Sequence, residues 1–77
     1  MASLLVVDDE PTVQHLFRRM FDKVGIEVLT AANAAEARRL VAETRPDVAI
    51  LDLVLPDQTG LQAFQALKEI DPRLPVI

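Results

Sequence analysis

Apolar residues follow two alternating rhythms along this chain: short solid runs, and stripes spaced by three and four. Ser3 to Val7 (SLLVV) is a short apolar run, the pattern of a strand covered on both faces. It stops at Asp8-Asp9-Glu10-Pro11, where proline suits a first helical turn because its missing N–H would have no partner there. Val13, Leu16, Phe17, Met20, Phe21 and Val24 then recur at helical spacing, which predicts one helix with a single apolar stripe, ended by Gly25. Glu27 to Ala31 (EVLTA) predicts a second strand. Asn33 and Glu36 have the spacing of a capping box, and the helix behind them runs to about Thr44, packing through Ala37, Leu40 and Val41 until Pro46 closes it. Val48 to Leu51 (VAIL) predicts a third buried strand ending on Asp52. After the loop Leu53 to Gly60, the spacing of Leu61, Phe64, Leu67 and Ile70 predicts a third helix, stopped by Asp71-Pro72. Pro75-Val76-Ile77 reads as the opening of a fourth strand, and Phe17, Phe21 and Phe64 are expected in the core.

The order βαβαβαβ demands a parallel sheet with helices on both faces and right-handed crossovers, so the fold class is α/β. Composition agrees: 51% of the residues are hydrophobic and 26% charged, too apolar for a disordered segment. The 77 residues read as a single small domain, residues 1–77, burying about 60% of the surface its unfolded chain exposes. No cysteine is present, which excludes disulfides and thiolate metal sites. No apolar run approaches the roughly 18 residues of a membrane span, and the N-terminus lacks a basic leader, so no membrane contact and a cytoplasmic location are expected. The net charge of −4 argues against nucleic-acid binding by this domain, and Arg38-Arg39 reads as a solvated helix face. His15 falls off the apolar stripe and is expected at the surface; Asp57 and Thr59 are expected to be solvent-facing loop and cap residues.

In parallel α/β sheets, ligands gather at the carboxyl ends of the strands where strand order reverses. Two strands here end on acid, the first on Asp8-Asp9 and the third on Asp52. If these strands are neighbours, the flavodoxin-like order, the three carboxylates converge, and a hard oxygen-seeking cation such as Mg²⁺ would relieve their repulsion. The plainer alternatives are that Asp8-Asp9-Glu10 complements a helix dipole and that Asp52 only forms a turn.

Leu4 to Pro11 (LLVVDDEP) resembles the first strand and acidic pair of the receiver domains of two-component response regulators. Asp52 to Leu61 (DLVLPDQTGL) resembles that family's phosphoacceptor loop, with Pro56 and Gly60 at the expected offsets. The resemblance covers the whole chain and implies a flavodoxin-like sheet of order 2-1-3-4. It implies that Asp52 takes a phosphoryl group from a histidine kinase or phosphotransfer protein. It also implies a Mg²⁺ site: Asp9 as direct ligand, Asp8 through a metal-held water, the backbone carbonyl of Val54, and Asp52 itself. Such a domain is not an enzyme beyond promoting its own phosphorylation. Haloacid-dehalogenase-like phosphatases also form an aspartyl phosphate, but they need a second Asp two residues on, where this chain has Val54.

The resemblance stops at Ile77, so the chain reads as a receiver domain truncated after the start of its fourth strand. The family's later Thr or Ser and its Lys, which contact the phosphoryl group, have no counterpart here; Lys23 and Lys68 match neither position. Impaired phosphorylation is the expected consequence. An uncovered sheet edge and face imply a homodimer or domain-swapped oligomer. The competing reading is a self-associating scaffold that keeps the acidic pocket without signalling.

Overall fold

Strands joined through helices must run parallel, and the computed structural model, which describes residues 2–77, places them so. The elements are β1 (Ser3–Val7), α1 (Pro11–Asp22), β2 (Glu27–Ala31), α2 (Ala34–Thr44), β3 (Val48–Leu51) and α3 (Gly60–Ile70). The sheet order is β2-β1-β3, all parallel, with Val7 opposite both Ala31 and Leu51. Beyond β3, Val76 makes a single parallel bridge to Ala49, supported by bonds from Ala49 N to Pro75 O and from Ile77 N to Ala49 O, each 2.9 Å. The expected order 2-1-3-4 is therefore present, with the fourth position filled by one bridge rather than a ladder. No helix among the described residues is long and apolar enough to cross a membrane.

Because side chains alternate along a strand, β1 serves two layers. Leu5 and Val7 join Ala49, Ala37 and Val41 of α2, Ala63 and Leu67 of α3, and Leu55 and Leu74 in one buried cluster. Leu4 and Val6, equally buried, point to the opposite layer, where Leu4 and Phe21 of α1 line a common hollow with Ile26, Val48 and Ile50. That second layer is thin. α1 has no buried residue, and Leu16 and Met20 of its stripe, with Val24 just past its end, are more than half exposed. One helix is about 10–12 Å across with its side chains, whereas three strands about 4.8 Å apart present a wider face, so α1 covers only part of it.

Three phenylalanines expected in the core are not in it. Phe17 and Phe21 are half-buried and stack on each other, ring centroids 6.4 Å apart. Phe64 is 39% exposed, on the side of α3 that faces a shallow hollow lined by Leu51, Leu61 and Ile77 rather than α2. Helix ends also differ in detail. α1 stops at Asp22, short of Gly25, which takes the left-handed φ of 73° in the following turn. α2 is turned by Arg45 at φ 50°, and Pro46 merely follows it. Asn33 accepts from Glu36 N at 2.8 Å, the forward half of the anticipated box, while Thr59 and Gln62 complete both halves at α3.

Leu67 is fully buried at the centre of the α2–α3 layer. Replacing it with alanine is expected to cost about 2–5 kcal/mol, most of the margin of so small a domain. Urea unfolding followed by far-UV circular dichroism checks this; a loss under about 1 kcal/mol would contradict the packing described.

Candidate functional site

The first strand ends where the chain turns from sheet into α1, and Asp8 is fixed at that turn from three directions. Its N–H donates to Ala31 O at 3.0 Å, extending the β1–β2 pairing by one bond. Its Oδ1 accepts from Glu10 N at 2.9 Å, and its carbonyl accepts from the Gln14 side-chain amide at 2.7 Å. Asp9, next along, is exposed. On the other side of β1, Asp52 N donates to Val7 O at 2.9 Å, which carries the β1–β3 pairing past the last residue of β3. The sheet thus delivers all three acids to one rim.

One carboxylate oxygen from each of Asp8, Asp9 and Asp52 lies within 4.8 Å of the other two. Asp8 and Asp52 are half-buried and Asp9 is exposed. Capping does not account for the group. Asp8 bonds Glu10 N ahead of the helix, Glu10 at the N-cap makes no side-chain cap bond, and the first turn of α1 holds no acid. Each pair of like charges at such separations costs on the order of 1 kcal/mol even in water. The donors are all hard oxygens, open enough to leave room for water, which fits a divalent ion of the Mg²⁺ or Ca²⁺ kind.

The segment after Asp52 folds back on itself. Val54 and Thr59 form an antiparallel bridge, flanked by Gly60 N to Leu53 O at 2.7 Å and Leu55 N to Gln58 O at 3.3 Å. Neither bond uses the Val54 carbonyl, the ligand atom expected from sequence. Leu55 is buried and anchors the loop in the core. Gly60 has a steric reason: a Cβ there would lie 2.7 Å from Leu53 Cα and 3.1 Å from Asp52 O. The spacing of Asp52 and Gly60 is therefore a backbone-to-backbone contact, which any side chain would push apart.

Asp57 is a solvent-facing loop residue, as expected, but it also reaches a helix far from it in sequence. It is exposed, yet its two carboxylate oxygens accept from Ala34 N at 2.8 Å and Ala35 N at 3.0 Å, the first N–H groups of α2. The Ala34 N–H, with help from the Ala35 N–H, its own backbone N–H and the Arg38 guanidinium, holds this carboxyl below the usual aspartate range. Arg38 also donates to the Gln58 side chain at 3.2 Å, so it is not a purely solvated residue. Nothing in the local sequence announces the Asp57 contact, because its partners lie more than twenty residues earlier. Neither lysine reaches the acids: Lys68 donates to Leu74 O at 2.9 Å, and Lys23 caps the far end of α1.

Comparison with known proteins yields one consistent family. The sequence model of the response regulator receiver domain matches residues 4–77. The chain is 39% identical over 70 residues to protein PilH of Pseudomonas aeruginosa, covering 91% of this chain and 55% of that one. Its fold superposes on the Vibrio cholerae chemotaxis protein CheY4 with a TM-score of 0.90 at 31% identity, covering 99% of this chain and 65% of that one. A response regulator from Burkholderia pseudomallei, solved with a phosphorylated aspartic acid, a calcium ion and citrate, superposes with a TM-score of 0.89 at 25% identity, over 99% of this chain and 45% of that one. The chain thus spans about half to two-thirds of the length of these relatives.

The Asp57 contacts carry a pH signature. A carboxyl depressed by folding contributes stability that is complete above its unfolded pKa and lost as pH falls through its folded one. The Asp57 carboxyl, followed by carbon NMR, is expected to titrate below the ordinary value of about 3.9. A midpoint at or above that value would be incompatible with two backbone N–H groups donating to its ionised form.

Proposed function

Because the chain belongs to the response regulator receiver domain family, we propose that Asp52 accepts a phosphoryl group from the phosphohistidine of a histidine kinase or phosphotransfer protein. Receiver domains are signalling domains, and the reading of this one as a phosphorelay module rests on a single observation: the convergence of Asp8, Asp9 and Asp52 at one sheet rim. The Burkholderia relative, with its phosphorylated aspartic acid and calcium ion, supports both halves of the assignment. In the transfer, an Asp52 carboxylate oxygen attacks phosphorus, the phosphorus–nitrogen bond breaks, and the imidazole leaves with the electron pair. The product on this chain is an acyl phosphate. Beyond promoting this step on itself, the domain is assigned no catalytic turnover.

Mg²⁺ is the proposed metal, with Asp9 as direct ligand, Asp8 through water, and Asp52 and the Val54 carbonyl completing the protein's share. When bound, it supplies neutralisation of the charge on the phosphoryl oxygens and a fixed geometry. The protein's own contribution is positioning. Asp8 is held by Glu10 N and Gln14, and Asp52 by Val7 O with a long 3.4 Å contact from Val54 N to its Oδ1. Within these residues no lysine approaches the acids to pair with the product, so phosphorylation and its readout by this stretch alone are expected to be weak.

A second reading, self-association, is favoured by a separate observation. The hollow lined by Leu4, Phe21, Ile26, Val48, Ile50 and Ile77 is apolar, the exposed Leu16 and Met20 lie on the same helix as Phe21, and the exposed Val24 follows just past its end. A homodimer or element exchange covering this face and the sheet edge would remove it from water.

Two measurements test these readings. Incubated with Mg²⁺ and acetyl phosphate, the chain should gain the mass of one phosphoryl group, and the gain should vanish in Asp52→Ala and on chelation. No gain in the wild type, or an undiminished one in Asp52→Ala, would remove the assignment. Analytical ultracentrifugation should show a dimer at micromolar concentration; a folded monomer there would refute self-association.

A further inference from the structure

The two halves of the acidic cluster are joined by more than the sheet. One route is direct, from Asp52 N to Val7 O and so to Asp8, the next residue. The other runs around the rim. Asp8 N bonds Ala31 O at the end of β2, the chain passes through Asn33 into α2, and the first N–H groups of α2 bond both oxygens of Asp57 in the Asp52 loop. We infer that Asp57 is a positioning residue for phosphoryl acceptance, setting how far the Asp52 loop, Val54 included, stands from Asp8 and Asp9.

The inference rests on reading Asp52 as the acceptor, and three features separate it from ordinary capping. α2 already has a local cap, since Asn33 accepts from Glu36 N at 2.8 Å. Asp57 instead comes from 23 residues away and engages the two N–H groups that the local cap leaves open. The remaining fastenings of the loop do not do this work. Leu55 is an apolar, non-directional anchor in the core shared by β1, α2 and α3, and Gly60 N on Leu53 O and the Thr59–Gln62 box tie the loop to itself and to α3; none of these bonds it to the start of α2. Gln58, accepting from Arg38 of α2 at 3.2 Å, reinforces the same tie one residue on. A small displacement of reacting groups costs heavily in rate, so a tie that fixes this separation acts on chemistry as well as stability.

The test compares the wild type with Asp57→Ala and with Asn33→Ala, which weakens the same helix terminus without touching the loop. Thermal unfolding, Mg²⁺ affinity by calorimetry and the rate of labelling by acetyl phosphate are measured for each. The expected result is that both variants lose similar stability, but only Asp57→Ala binds Mg²⁺ more weakly and labels about tenfold more slowly. If Asp57→Ala fails to fold, Asp57→Asn, which keeps one acceptor oxygen, is expected to show a smaller loss of about threefold in the same direction. Asp57 variants that match Asn33→Ala in both metal affinity and labelling overturn the inference. Absence of labelling in the wild type would instead discredit Asp52 as acceptor, and the Mg²⁺ measurement would still decide the role of Asp57.

Discussion

The parallel pairing of β1 with β3 is the constraint on which the site depends. β1 is the central strand, with Leu4 to Val7 all buried, and it pairs with β2 on one side and β3 on the other. A slip of β3 by one residue would exchange Ala49 with its neighbours and turn Ile50 toward the α2–α3 layer. A slip of two would keep the faces but carry Asp52 roughly 6.6 Å along the sheet, out of reach of Asp8 and Asp9. Small side chains help to hold the register: Ala49 of β3, Ala37 of α2 and Ala63 of α3 are buried in one cluster, so a misplaced larger residue would not fit.

This explains why so much was legible in the chain. The bounds of all three strands agree residue for residue with the segments read from the sequence; β1 and β3 are cut off by the aspartates that follow them, whereas β2, between Ile26 and Ala32, has no such stop. The convergence of acids was legible only conditionally: the runs show that two strands end on aspartate, not that those strands are adjacent. Adjacency came from the resemblance of LLVVDDEP and the Asp52–Gly60 loop to one family, and the β2-β1-β3 order bears it out.

What the chain concealed has a common cause. Helical periodicity reports which side of α1 or α3 is apolar, but not whether anything packs against it, and hence Leu16, Met20 and Phe64 are wetter than their spacing suggests. Asp57 sits in a turn-rich loop where aspartate is ordinary, and its partners are backbone N–H groups that every helix possesses. That α2 opens with Ala34-Ala35, whose side chains cannot accept from the terminal donors, does not call for Asp57 either, because water satisfies such donors at an exposed helix start.

The unequal packing of the two layers then bears on how the site works. The Asp52 loop is fastened to the closed layer, through Leu55 in the core and Asp57 on α2. The Asp8 turn leads into α1, which buries no residue and so belongs to the less stable part of the structure. Preorganisation is most valuable where charge changes during reaction, and on the reading proposed above that is the Asp52 carboxylate, which stands on the more closely packed side. The proposed Mg²⁺ demands near-ideal octahedral geometry but keeps several waters, and Asp8, proposed to bind through one of them, leaves some slack on the α1 side. On that reading the closely packed side of the rim carries the proposed acceptor, and the thinly packed side carries the acids proposed to hold the ion.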